Sequence, residues 1–313
     1  MTLTDEYQAV RHHAGLIECA AWGAVEVRGA DRVTFLHNLL TQDIKTLGTG
    51  ACREAALVTP AAKLLADLVV LAGADAHWLL LPRSRIETVL KTLEHYLITE
   101  DVALQDRSAD HRILALQGPR SREILEGVAA SLVLAHSITG SPGFLLVTPV
   151  ERAAQLREQA LRHGRERGVL PVAWETLNVL RLEAGIPWYG VDMDESNLLP
   201  ETGLEARAVS DTKGCYVGQE VIARLGTHGS VSRKLMGLVC EDTQVPEAGD
   251  AVFFKEDEPV GQLTSACFSP ALQKPIALGY VKRPSYEAGT AVTVMRGTRT
   301  VASHLVKPPF MSG

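Results

Sequence analysis

Large rings are scarce in this sequence: four Trp, six Tyr and six Phe make up 5% of 313 residues. That leaves little material for the aromatic platforms on which single-stranded nucleic acids stack. Positive charge is not in excess either, with 31 Lys and Arg against 37 Asp and Glu and a net charge of −6. Direct nucleic-acid binding is therefore not expected. The five cysteines, Cys19, Cys52, Cys215, Cys240 and Cys267, are odd in number and never spaced C-x-x-C. This excludes a disulfide framework and a sequence-adjacent zinc site, and no metal site is expected. No apolar run approaches the ~20 residues that span a bilayer. The polar, acidic stretch Met1–Glu6 has neither signal-peptide nor transit-peptide character, so no membrane association and a cytoplasmic location are expected. Phosphate-binding loops, dinucleotide glycine fingerprints, H-E-x-x-H and serine elbows are also missing.

What is present reads as two or three domains, since domains usually run to ~100–150 residues. Val25 and Val27 alternate with Glu26 and Arg28, a half-buried strand ahead of a helix carrying Val33, Leu36 and Leu40, with Asp31 placed to cap it. Strand-like runs follow at 51–59, 64–72 and 77–81. Ser84 and Glu87 have capping-box spacing before the stripe Ile86, Val89, Leu90, Leu93, Leu97. Strand patterns at 113–116 and 144–147 and a helix at 150–163 come next. Pro171 is placed to open a further helix ending at Gly185. Beyond residue 233, short β-rich runs separated by turn residues suggest a small barrel or sandwich. The whole predicts an α+β protein with helices on one face of antiparallel sheet. Three parts are expected: residues 1–108, 109–230 and 231–313.

Chemistry is densest at Lys213-Gly214-Cys215-Tyr216-Val217-Gly218-Gln219-Glu220. Glycine at both 214 and 218 argues against a regular element, and Lys213 near Cys215 favours the nucleophilic thiolate. Upstream, Arg181 to Glu201 holds several Gly and Pro residues and a run of carboxylates, including Asp194 and Glu195. Such a loop is suited to accept paired N–H donors from a heterocycle.

These residues carry a resemblance. Arg181-Leu182-Glu183-Ala184-Gly185 with Tyr189-Gly190, Pro200 and Leu204 resembles the R-x-E-x-G…Y-G…P…L pattern of the glycine-cleavage T-protein (aminomethyltransferase) superfamily. The segment from Gly29 to Asp43 is similar to that superfamily's first strand and helix, and 259–281 to its C-terminal barrel. Lys213 to Glu220 resembles the K-G-C-[aromatic]-x-G-Q-E signature of the YgfZ-type branch.

The resemblance implies a ring of two interleaved α+β parts, with ferredoxin-like elements, plus a small C-terminal β-barrel. It also implies a central tetrahydrofolate site. Residue by residue it implies Asp194 or Glu195 on the pterin, Tyr189 as a wall, Asp67 at the reacting end, Arg224 and Arg233 on the glutamate tail, and Cys215 with Lys213 as the reactive pair. Where aminomethyl-transferring members have two adjacent acids, this chain has Ala66-Asp67; read alone, that implies no glycine-cleavage activity. The leading expectation is thus a folate-binding protein serving iron–sulfur client proteins, including tRNA-modifying enzymes. Its rivals are a tetrahydrofolate-dependent aminomethyltransferase or demethylating enzyme, and a ligand-free scaffold.

Overall fold

The computed structural model describes residues 2–227, 230–254 and 258–311. The chain opens with helix α1 (Leu3–His12), whose mostly polar sequence hides it from pattern reading. It is held by a reciprocal cap in which Thr2 Oγ1 accepts from Asp5 N and Asp5 Oδ2 accepts from Thr2 N. Strand β1 (Ala14–Glu18) follows, then β2 (Trp22–Arg28), helix α2 (Arg32–Leu39), β3 (Cys52–Val58), β4 (Leu64–Ala72), β5 (His77–Pro82), α3 (Ile86–His95) and β6 (Ala103–Asp106). Strands β2 to β6 form an antiparallel sheet in the order β3-β4-β5-β2-β6. One face of it is covered by α2 and α3 through Phe35, Leu36, Leu57, Ala66, Val70 and Val89.

The second part runs through β7 (His111–Gln117), α4 (Ser121–Leu125), β8 (Leu132–Ala135), β9 (Gly143–Pro149), α5 (Val150–Gly164) and β10 (Val169–Val172). Its sheet has the order β10-β1-β7-β9-β8, with β1 parallel to β10 and antiparallel to β7. Strand β1 therefore belongs to the second sheet, and the sequence boundary at 108 misassigns residues 14–18. The misassignment has a simple cause: a strand's partner is set by tertiary pairing, which one sequence does not display. The free faces of the two sheets meet in one core containing Val69, Leu80, Ala115 and Leu145.

Helix α6 (Trp174–Glu183) crosses this core. The chain then returns to the first sheet through α7 (Glu205–Ala208) and α8 (Gln219–Thr227), packing Leu199, Leu204 and Ile222 on Ala56 and Leu64. The last part is a closed barrel of β11 (Arg233–Cys240), β12 (Ala251–Phe253), β13 (Pro259–Ser269), β14 (Lys274–Lys282), β15 (Ala291–Arg296) and β16 (Arg299–Val306). Its order is β11-β14-β13-β12-β15-β16. The expected α+β fold with a C-terminal barrel is what the chain adopts.

Three local expectations give way. Pro171 sits in β10, an edge strand, where its missing N–H is tolerated; α6 starts beyond it, at Trp174. Ser84 lies within a 3-10 turn, Arg83–Arg85, that runs directly into α3 and supplies the first carbonyl partner, so no side chain caps that helix. Asp31 precedes α2 without capping it, because its carboxylate instead accepts from Asp101 N at 2.8 Å.

Candidate functional site

Helix α6 carries two charged side chains that are each about 1% exposed, Arg181 and Glu183. Burial of that kind is tolerated only with full pairing. Arg181 bonds to Asp192 and donates to Ser265 Oγ at 2.8 Å, while Asp192 also accepts from Trp188 N and from Thr264 and Ser265 of β13. Glu183 takes Tyr7 Oη at 2.7 Å and Arg11 from α1, and Ser269 Oγ at 2.5 Å from the barrel. Gly185 ends the motif at φ +65°, and a Cβ there would lie 2.4 Å from Pro308. The R-x-E-x-G segment is thus the clasp joining α1, α6 and the barrel, and it fixes Trp188. That ring is held between the Arg181 guanidinium, 4.5 Å from its centroid, and Trp174, stacked at 4.2 Å.

Trp188 walls two neighbouring cavities that also share Trp22 and Ile138. The larger, about 350 Å³, is apolar and bounded by Leu16, Trp174 and Leu177. The smaller, about 40 Å³, is where the two sheets and the α7 segment converge, and it holds Glu54, Asp67, His136 and Arg207. Asp67 stands on β4 opposite Ala56, and Glu54 is opposite Val69, so period-2 alternation puts Glu54 and Asp67 on one face. Asp67 Oδ1 is buried with no hydrogen-bond partner among the described residues. Burial, reinforced by the nearby Glu54 charge, pushes its carboxyl up to about 6. Glu54 is itself raised by burial, against the Arg207 guanidinium whose Nε lies 3.3 Å from Oε2. Burial and Arg207 push His136 down to about 4, so its imidazole is neutral at pH 7. Glu54, His136 and Arg207 escape sequence reading because each belongs to a different segment and no local motif marks them.

Ala66 occupies the other face of β4. It pairs with Leu57 and is fully buried against α2 and α3. Its lack of a carboxylate therefore leaves the cavity unaltered and does not count against glycine-cleavage chemistry. Only Asp67 of this pair faces the cavity.

The remaining sequence-marked residues lie elsewhere. Tyr189 Oη donates to Glu195 Oε2 at 3.0 Å, and Arg85 both pairs with Glu195 at 3.1 Å and covers the Tyr189 ring. The Glu195 side chain is 65% exposed. Asp194 accepts from Ser196 N at 2.7 Å, bonds that hold its carboxyl below the usual range; it orders the turn. Arg233 pairs with buried Glu201 at 3.1 Å, so its charge is engaged before any tail arrives. Arg224 is exposed on α8. Lys213 is buried and its ammonium donates to the carbonyls of His37, Leu40 and Gln42, the last two at 2.6 and 3.0 Å. It satisfies the C-terminal end of α2 rather than serving the thiol. Cys215 is exposed, whereas Cys19, Cys240 and Cys267 are buried. It does not line the Asp67 cavity.

Two interleaved sheets with a charged-residue pocket between them, followed by a six-stranded barrel, define a T-protein-type architecture. Residues 1–138 match the GCVT N-terminal domain and 233–311 the glycine cleavage T-protein C-terminal barrel domain. The chain is 30% identical to an aminomethyltransferase of Symbiobacterium thermophilum, covering 99% of this chain and 89% of that one. An aminomethyltransferase of Geobacillus kaustophilus is 31% identical, with 99% and 90% covered. The crystal structure of glycine cleavage system aminomethyltransferase T from Bartonella henselae superposes with a TM-score of 0.88 at 26% identity, over 99% of this chain and 89% of that chain. The chain belongs to the glycine-cleavage T-protein family.

Proposed function

We propose that the chain binds tetrahydrofolate with its pterin end at Asp67 and handles a one-carbon unit there, as an aminomethyltransferase does. The observation carrying this reading is the buried, unpartnered Asp67 Oδ1 beside an apolar cavity walled by Trp22 and Trp188. An orphaned carboxylate oxygen is costly unless a ligand donor meets it, and a pterin edge offers N–H donors. The 350 Å³ cavity lies within the ~300–1,000 Å³ range of small-molecule sites. Tetrahydrofolate, when bound, supplies the secondary amine nitrogens that accept a one-carbon unit. With its carboxyl raised to about 6, Asp67 accepts or returns a proton near neutrality. Arg207 holds Glu54 beside it. The names of the relatives support transfer from an aminomethylated carrier. The test is calorimetric titration with tetrahydrofolate, followed by an aminomethyl-transfer assay. Absence of binding sinks the reading; binding without transfer moves it to the second one.

That second reading is favoured by exposed Cys215 within the Lys213–Glu220 segment. In it, the folate-loaded protein acts in the cytoplasm on iron–sulfur clients. The other thiols are disfavoured as nucleophiles, since burial pushes Cys19 and Cys267 up to about 12. Site-resolved alkylation should label Cys215 first, and Cys215→Ala should lower iron–sulfur enzyme activity in cells. Normal activity in that variant removes this reading.

A further inference from the structure

The register of the first sheet sets Glu54 and Asp67 on one face: Ala56 stands directly opposite Asp67, and Glu54 is two residues back along β3. Such diagonal neighbours on antiparallel strands lie about 7–8 Å apart at the backbone, within reach of one another for long side chains. Ala56, between them on that face, brings only a methyl group. Both carboxylates line the same cavity of about 40 Å³, which has room for a group the size of a water molecule. Their surroundings are unequal. Glu54 has a cation, the Arg207 guanidinium at 3.3 Å, and its side chain is 25% exposed. Asp67 has a buried, unpartnered Oδ1 and no ion pair among the described residues. Two like charges this close in a partly dry cavity repel, and the carboxyl without a counter-charge is the one that takes up a proton. The other titratable groups facing the pair leave this asymmetry intact. His136, 3.9 Å from Glu54 Oε1, is neutral near pH 7, because burial and Arg207 push it down to about 4. Cys52, on the same face of β3, donates to Ala135 O at 3.2 Å, and burial together with the Glu54 charge raises its thiol. The rest of the lining, Trp22, Trp188 and Leu204 among it, carries no ionisable side chain.

We infer that Glu54 is a positioning residue: its charge, fixed by Arg207, keeps a proton on Asp67, so that the two carboxylates work as a pair holding one proton between them. This deepens the folate reading above and rests on it for the identity of the ligand. With the proton in place Asp67 donates to an acceptor atom; with the proton gone it only accepts. A heterocycle that docks N–H donors against Oδ1 must therefore drive that proton off Asp67 and out to solvent. Binding and proton release are then one event, and affinity falls as pH drops below the Asp67 midpoint.

The test first follows the Asp67 carboxyl by carbon-13 NMR in the full, ligand-free chain, with Asp67→Asn assigning the signal. The wild-type midpoint should lie at about 6. Glu54→Gln, close in shape and partly exposed, should lower it by about one pH unit, and Glu54→Asp should restore most of that shift. Arg207→Gln should move the midpoint upward by a similar amount. Opposite signs from two neighbours mark charge, whereas loosened packing would move both the same way. The second measurement is calorimetric titration with tetrahydrofolate in buffers of different ionisation enthalpy. Wild type should release close to one proton per ligand at pH 5 and close to none at pH 8, and Glu54→Gln about half as much at pH 5. A midpoint that Glu54→Gln leaves in place, or that both substitutions move in one direction, overturns the pairing. Tetrahydrofolate that binds at pH 5 without proton release overturns the coupling and leaves the folate reading standing. If tetrahydrofolate does not bind, the folate reading fails, and the carboxyl midpoints alone decide whether Glu54 and Asp67 form a pair.

Discussion

Ala66 and Asp67 are adjacent in β4 and face opposite sides of the sheet, one into the packing against α2 and α3, the other into the cavity between the two sheets. A dipeptide that reads as half of a lost acidic pair is thus a core residue followed by a cavity-lining one. The electrostatics of the cavity follow from Asp67 with Glu54, His136 and Arg207.

Asp67→Asn should abolish transfer and weaken tetrahydrofolate binding by about 1.5–3 kcal/mol, the loss of a charge-assisted acceptor. The same change should stabilise the fold at high pH. Burial pushes the folded carboxyl up from its usual 3.8 to about 6, so the folded state holds its proton more tightly. Wild-type stability is then reduced as pH rises from about 4 through 6, by ~3 kcal/mol at most. Thermal melts should show the variant ahead of wild type at pH 8 and the two converging towards pH 4. Equal melts at both pH values would show that burial does not tax this carboxylate.

Ala66→Asp should not add activity. The new carboxylate would sit at a position with no exposure, among Leu57, Leu68 and Val70, at a cost of several kcal/mol unless it takes up a proton. A soluble, stable variant with raised transfer rates would contradict the facing assigned to this residue.

Lys213→Ala should lower stability by about 1–3 kcal/mol, because it strips the donor from three carbonyls at the end of α2. Alkylation of Cys215 in the still-folded variant should proceed at close to the wild-type rate. A labelling rate that falls several-fold while the melting temperature holds would return Lys213 to the thiol.

His136 should contribute to acid sensitivity. Burial pushes it down from the usual 6.5 to about 4, so the folded state disfavours the proton, and stability present above pH 6.5 is lost as pH falls towards 4. His136→Gln should flatten that limb by ~3 kcal/mol at most. Denaturant midpoints of the two proteins at pH 7 and pH 4.5 give the comparison, and an unchanged gap between them counts against a buried neutral imidazole.

Regular patterning was enough for much of the fold. The alternation around Val25, the helix from Val150 and the short turn-bounded runs of the barrel all correspond to elements, because each buries one face and its period shows it. The parts that escaped have physical causes. α1 is mostly polar between its few buried residues, and β1 takes partners from residues 114–117 and 169–172, far along the chain. Of the charged residues lining the pocket between the sheets, the sequence marked Asp67 alone. Glu54, His136 and Arg207 meet it only after two sheets interleave, whereas the conspicuous Arg181, Glu183 and Lys213 proved to be architectural. Density of polar residues in sequence marked where the fold is tied together as readily as where a ligand would sit.

Glu183 accepts simultaneously from Tyr7 and Arg11 of α1 and from Ser269 of β13. Any opening that swings the barrel away from α1 would strand a buried carboxylate with half its donors, a loss of the order of 3–5 kcal/mol. The barrel is accordingly fixed against α1 and α6 and does not act as a lid. Entry to the interior then falls to rotations of a few side chains at the cavity mouths, such as Trp174, 55% exposed, and the Arg157–Glu18 pair. Ligand exchange by that route has the pace of ring and ion-pair rearrangement, not of hinge motion.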